Sequence, residues 1–211
     1  YNPAYNTTSF KVSKSSTEFK LNTSGSEFVY GDKIEVTHSL PVKATGYILY
    51  KLNNEIYANL TVNENLILRD VDADSYLIEA TYSGDHDYES SKDTIQIKIN
   101  KAQNNVKVSV GDVTYGSPSI IKIQADADGT YTVDINGKQV SINVIGGSGE
   151  KSISLNAGTY STHTVFDSKN HDTKITEADF KVLKATDNVK VNVDNSSYGQ
   201  DSIINIDAEI D

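Results

Sequence analysis

Ile99-Asn100-Lys101, then Val106-Lys107-Val108-Ser109-Val110, then Tyr115-Gly116 is a stretch that this chain writes three times. The first copy runs from Val12-Ser13-Lys14 through Phe19-Lys20-Leu21 to Tyr30-Gly31. The third runs from Val182-Leu183-Lys184 through Val189-Lys190-Val191-Asn192-Val193 to Tyr198-Gly199. Lys14, Lys101 and Lys184 stand 87 and 83 residues apart. That spacing is too long for a solenoid repeat and fits a whole small β domain. The expected organisation is the last strand of a preceding repeat at 1–13, repeat one at 14–100, repeat two at 101–183 and the start of a third repeat at 184–211.

Working outward from Val106, repeat two alternates throughout. Ile121 and Ile123 alternate, then Tyr131, Val133 and Ile135, then Val140, Ile142 and Val144. Period two means one buried and one wet face, the mark of antiparallel strands. No stretch keeps i, i+3, i+4 apolar spacing over three turns. The expectation is all-β: two tandem sandwiches of about seven strands each. Asn136-Gly137 between alternating runs predicts a tight hairpin, and Asn53-Asn54 holds the same place in repeat one. Gly146-Gly147-Ser148-Gly149 predicts a loose bend. No Gly/Pro/Ser linker separates the repeats, which predicts a semi-rigid rod.

Composition narrows function. The 211 residues carry a formal charge of −10, so a phosphate backbone is repelled and nucleic acid is not an expected partner. No basic patch addresses anionic lipid, and no apolar run spans a bilayer, so direct membrane insertion by this segment is not expected. With no Cys, disulfide staples and thiolate zinc sites are excluded. No cofactor motif occurs. Any targeting or anchoring segment is expected outside this stretch.

Asp74-Ser75-Tyr76 and Gly158-Thr159-Tyr160 place a Tyr where an immunoglobulin-type sandwich enters strand F. There the hydroxyl bonds back to nearby backbone. Tyr76 and Tyr160 are the expected corner residues. The position of the usual second Cys falls at Ile78 and Thr162.

These features resemble the tandem bacterial immunoglobulin-like repeats of large adhesin-like surface proteins from methanogenic archaea and Gram-positive bacteria. The resemblance rests on Lys101-Ala102 and Lys184-Ala185 opening a unit, Tyr115-Gly116 before strand B and Ala157-Gly158-Thr159-Tyr160 before strand F. Ala80-Thr81-Tyr82-Ser83-Gly84-Asp85 follows strand F, with a degenerate copy at Thr164–Lys169. It covers essentially the whole chain and implies an extracellular, cell-surface adhesion segment with no catalytic residues. Neighbouring repeats are the implied partners, with a host or microbial surface glycan or protein as a further one. Accessory domains of a secreted polysaccharide-active enzyme are the other reading compatible with the fold.

Candidate sites are few. Asp70, Asp72 and Asp74 alternate like calcium ligands. An EF-hand loop needs Gly at its sixth position and Glu at its twelfth, and Ser75 and Thr81 stand there. A solvated acidic turn is the simpler reading, and Asp126-Ala127-Asp128-Gly129 reads as an ordinary turn. His38, His86, His163 and His171 share no ligand spacing. Four sequons, at Asn6, Asn22, Asn59 and Asn195, permit glycosylation.

Strand parity gives the sharpest candidate. If Ile48, Tyr50 and Leu52 point inward, Tyr47 and Leu49 point outward. If Ile56, Ala58 and Leu60 point inward, Tyr57 points outward. Repeat two has Thr130, Thr132 and Gln139 there. Tyr47, Leu49 and Tyr57 are therefore a candidate surface for a sugar ring or protein, set against plain strand propensity or packing. An isopeptide cross-link is not expected, because no Lys holds a clear inward position.

Overall fold

The computed structural model describes Tyr1 and residues 3–209. Asn2, Ile210 and Asp211, which belong to the two expected partial repeats, lie outside the described residues. The chain is strand and turn, with no helix among the described residues. It divides into two compact units, Tyr1–Ala102 with Lys169–His171, and Gln103–Ser168 with Asp172–Asp211.

The first unit has eight strands in chain order. They are β1 (Lys20–Thr23), β2 (Glu27–Val29), β3 (Ile34–Ser39), β4 (Tyr47–Leu52), β5 (Glu55–Thr61), β6 (Leu66–Leu68), β7 (Ser75–Tyr82) and β8 (Ser91–Asn100). They form a three-stranded sheet, β1-β3-β6, and a five-stranded sheet, β2-β8-β7-β4-β5. Only β2 against β8 is parallel. Alternation dictates the layers. Ile48 and Tyr50 of β4, Ile78, Ala80 and Tyr82 of β7, and Val36 of β3 are fully buried between the sheets. Each large aliphatic side chain so buried contributes roughly 1.5–3 kcal/mol.

The second unit repeats the plan with β9 (Ala102–Val110), β10 (Val113–Thr114), β11 (Ser119–Ala125), β12 (Gly129–Ile135), β13 (Lys138–Val144), β14 (Ser148–Ile153), β15 (Gly158–Val165), β16 (His171–Thr176) and β17 (Asp179–Leu183). Its sheets are β14-β11-β9-β16 and β10-β17-β15-β12-β13, again with one parallel pair, β10 on β17. Tyr131, Val133 and Ile135 face Ile121 and Ile123 in its core. Both units are immunoglobulin-like sandwiches: two packed sheets, Greek-key order and a short second strand running parallel to the last. The eight and nine strands exceed the expected seven because β2 and β10 separate from the first strand, and the second unit's last strand is split into β16 and β17.

A two-stranded sheet follows, β18 (Asn188–Val193) against β19 (Ile204–Glu209). Phe10-Lys11-Val12, expected as a strand, forms none, and Phe10 and Val12 are exposed. The equivalent strands β8 and β17 pair with β7 and β15, which precede them in sequence. No such strand precedes Phe10 in the described residues, so its ladder has no partner.

The hairpins are tight. Asn136 has φ 49° and Gly137 φ 92°, and Ile135 pairs with Lys138 across them. Asn53 and Asn54 have φ 47° and 71° between paired Leu52 and Glu55. Both are turns with positive φ at the two central positions, whose twist matches the strands. The Gly146-Gly147 bend is not loose. Both amides donate to the Asp128 carboxylate, at 2.9 and 3.0 Å, and Ile145 bridges Ser148. Asp128 is therefore an anchor rather than an ordinary turn residue, and the two amides hold its carboxyl below the usual range.

Candidate binding face

The outer face of β4 and β5 is built by register. Tyr47 pairs with Thr61 and Leu49 with Asn59, so the Asn59 sequon shares the face of both. Lys51 then pairs with Ile56, because the register slips after Tyr50. Tyr50 is opposite Ala58, so Tyr57 is the extra residue of a β-bulge. The slip reverses parity beyond it. Ile56, expected inward, is 71% exposed, beside Tyr47 at 53% and Tyr57 at 43%. Leu49 is half-buried. Lys51 Nζ lies 3.7 Å from Glu79 on the same face. The face thus presents two tyrosines and Ile56 around the Asn59 amide. In the second unit Thr130 and Gln139 occupy the matching exposed positions.

The backbone under Tyr47 is held from the loop after β7. Tyr47 N–H donates to Ser83 Oγ at 3.2 Å, and Ser83 N–H donates back to the Tyr47 carbonyl at 3.0 Å. Two residues further, the Asp85 carboxylate collects the Thr45, Asp87 and Tyr88 amides at 2.7, 2.8 and 2.8 Å, with the Thr45 hydroxyl at 3.1 Å. These donors, Thr45 first, hold the Asp85 carboxyl well below the usual carboxylate range. Gly84 between them has φ 72°, and a Cβ there would meet Ser90 N at 2.7 Å, so only Gly fits. Tyr82-Ser83-Gly84-Asp85 is therefore a loop-locking device. In the sequence alone these residues mark the end of strand F and carry no sign of that chemistry.

Two carboxylates of the acidic run, those of Asp72 and Asp74, are engaged in hydrogen bonds. Asp72 Oδ1 accepts from Asn170 Nδ2 at 2.9 Å and Oδ2 from Lys169 Nζ at 3.0 Å. The Asn170 bond, then Lys169, lowers the Asp72 carboxyl. Asp74 Oδ1 accepts its neighbour Ser75 N–H at 2.8 Å, and Asp70 sits at φ 54° in a turn. No three His, Cys, Asp or Glu side chains group as metal ligands among the described residues.

Tyr76 Oη donates to the Asp72 carbonyl at 3.0 Å, and Tyr160 Oη to the Asn156 carbonyl at 2.8 Å, each four residues upstream. A third hydroxyl does the same without a sequence signal. Tyr131 Oη donates to the Ala127 carbonyl at 2.7 Å in the core. Asn104, wholly buried, donates Nδ2 to that Tyr131 oxygen at 2.9 Å and accepts the Asp126 and Ala127 amides on Oδ1. Buried polar groups need such closure. Read by alternation, Tyr131 looks like one more core residue.

The histidines are dispersed. His38 Nε2 meets the Val62 carbonyl at 2.9 Å, which can only accept, so Nε2 carries a proton, and Nδ1 lies 3.2 Å from Tyr50 Oη. Burial pushes the Tyr50 hydroxyl up to about 12. In the second unit Thr162 and Thr164 point inward where the first has Ile78 and Ala80, and the Glu177 carboxylate satisfies both.

No protein-family model matches the chain, and no curated protein matches it. Solved structures similar to it include immunoglobulin domains 1–5 of Sidekick-1, 10% identical with a TM-score of 0.43, matched over 78% of this chain and 40% of that one. Fibronectin(III)-like modules of Clostridium thermocellum CbhA are 10% identical with a TM-score of 0.35, over 79% of this chain and 94% of that one. The BSP domain of a biofilm associated protein is 16% identical with a TM-score of 0.27, over 79% of this chain and 30% of that one. Each likeness is one of fold, and the topology of the two units is what makes them immunoglobulin-like sandwiches.

Proposed function

We propose that this chain is a non-catalytic structural and adhesion segment of a large extracellular, cell-surface protein of the adhesin-like kind, extending and presenting a binding region. Serial construction carries the reading. Two sandwiches of one topology follow each other with only Lys101 between β8 and β9. A linker of one residue leaves little freedom for a flexible tether. Repeats 14–100 and 101–183 then act as successive rigid spacers. No helix among the described residues is long and apolar enough to cross a membrane. A second reading, binding through Tyr47, Leu49 and Tyr57, is favoured by the exposure of both tyrosines and Ile56 on one face of the first unit.

Antibodies against residues 14–183 test the role on intact cells of the source organism. Labelling without permeabilisation, lost after protease shaving, is the expected result; signal only after permeabilisation overturns the reading. Immobilised protein separates the two readings. A Tyr47→Ser, Tyr57→Ser variant that keeps its unfolding midpoint and loses adhesion or glycan-array signal assigns the binding to that face. Unchanged signal leaves the spacer role and removes the face.

A further inference from the structure

We propose that a hollow on the second unit, lined by Tyr115, Gly116, Ser117, Ser154, Leu155 and Asn156, is a socket for a loop of the following repeat. The loop is the one that corresponds to the β15–β16 connection, and the socket takes a carboxamide and a ring from it. The proposal rests on the serial-repeat reading for the existence of its occupant.

The first unit shows such a socket filled. Lys169, Asn170 and His171, where β15 leads into β16, belong to that unit. Asn170 Oδ1 accepts the Ala73 N–H at 2.8 Å, and its Nδ2 donates to Asp72 Oδ1 at 2.9 Å. Its own carbonyl accepts the Ala102 N–H at 2.9 Å. His171 sets its ring edge-on to Tyr30, with centroids 5.4 Å apart at 75°. Lys169 Nζ takes the other Asp72 oxygen. A carboxamide suits this place because it donates and accepts at once, which a carboxylate of the same size cannot do.

The second unit carries the same positions uncovered. Tyr76 and Tyr160 bond the Asp72 and Asn156 carbonyls, so Asn156 and Ala157 correspond to Asp72 and Ala73. Tyr30 N–H donates to the Asn100 carbonyl at 2.9 Å and Tyr115 N–H to the Leu183 carbonyl at 2.8 Å. Tyr115 therefore corresponds to Tyr30, and Ala185 to Ala102. Tyr30, Asp72 and Ala73 are half-buried, whereas Tyr115, Asn156 and Ala157 are exposed. The hollow at Tyr115 and Asn156 measures about 610 Å³. Among the described residues no acceptor meets the Ala157 or the Ala185 N–H. One difference sets the chemistry of the occupant. Asn156 is neutral where Asp72 is charged, so a cation in the place of Lys169 has no carboxylate to meet. The carboxamide and the ring are what the second socket selects.

A chain of residues 1–183 followed directly by a second copy of 101–183 tests this. The copied Lys169-Asn170-His171 is the probe offered to the second unit. Amide exchange is read residue by residue, and protection of β9 in both copies reports folding. The Ala157 amide is expected to exchange about tenfold more slowly than in the parent chain, or slower still. The Tyr115 ring should show contacts with the copied His171. Asn170→Ala in the copy should return Ala157 to its parent rate, whereas Lys169→Ala in the copy should leave it slow. In the parent chain, Asn170→Ala should speed exchange at Ala73 by a similar factor. An unmoved Ala73 overturns the reading of the filled socket and the proposal with it. So does an Ala157 rate that is unchanged, or one slowed equally with and without the copied Asn170. Lost protection in the copied β9 also counts against it, since a repeat of the same kind then finds no seat at this junction. Cell-surface labelling can fail while the socket fills, and an empty socket leaves the labelling untouched, so the two proposals fall separately.

Discussion

A single carboxylate, Asp85, shows how much of this fold is fixed by polar side chains rather than by the core. It gathers three amides and a hydroxyl from two loops, and each donor favours the charged form. Its carboxyl is held low, with the Thr45 amide the largest cause. The sign follows from linkage. A group whose folded value is depressed contributes stability fully present above its unfolded value, and that stability is lost as pH falls through the folded value. The unfolded value is about 3.9, so the loss should set in below about pH 4. Asp85→Asn keeps the size and removes the charge. Its unfolding midpoint should fall short of the parent's at pH 6, and the gap should close as both are taken below about pH 4. A gap that stays constant through the acid range would show that Asp85 is not the anchor. The tyrosines carry a related lesson. Tyr76 and Tyr160 were legible because a strand-F position announces them. Tyr131 bonds four residues upstream in the same way, but alternation explains it fully as core, and no local pattern flags Asn104 as its partner.

At the scale of the element, the sequence was most informative where backbone chemistry is local. Asn136-Gly137 and Asn53-Asn54 take the positive φ that their residue types allow, so the hairpins and their registers followed. Alternation gave the layers for the same reason. Parity failed at Tyr57 because a bulge is decided across the ladder, by the fit of β5 to β4, and leaves no mark on β5 itself. The Gly146-Gly147 bend was misread likewise, since its fixing group, Asp128, lies 18 residues away from Gly146 along the chain. The corrected parity is testable. Ile56 on the outer face should accept Lys with a change within about 0.5 kcal/mol, as ordinary surface positions do. Ile48, wholly buried on the preceding strand, should lose about 2–5 kcal/mol on substitution by Ala. A large loss from Ile56→Lys would restore the simple alternation and remove the bulge.

At the scale of the whole molecule the same strand pair occurs with and without a cover. In the second unit β9 and β11 pair Val106 with Ala125, Val108 with Ile123 and Val110 with Ile121. β18 and β19 repeat this as Val189 with Ala208, Val191 with Ile206 and Val193 with Ile204. Val106, Val108, Ile121 and Ile123 are at most 3% exposed, whereas Val189, Val191, Val193, Ile204 and Ile206 are 56–66% exposed. Backbone pairing is therefore not what separates them; the opposing five-stranded sheet is. A two-stranded ribbon with one bare apolar face is marginal in water, so its amides should exchange far faster than those of β9 and β11. The cause can be tested by supplying the missing layer. Ala208 corresponds to Ala125, so a chain in which residues 126–183 are written again after Ala208 contains the strands that cover β9 and β11. If 184–211 is the opening of a third repeat, amide protection across 188–209 should rise to that of β9 in a monomeric chain. Val191→Asp should abolish the gain and leave both other units intact. Protection that stays low after the addition would mean that β18 and β19 only imitate the repeat in sequence and do not share its packing.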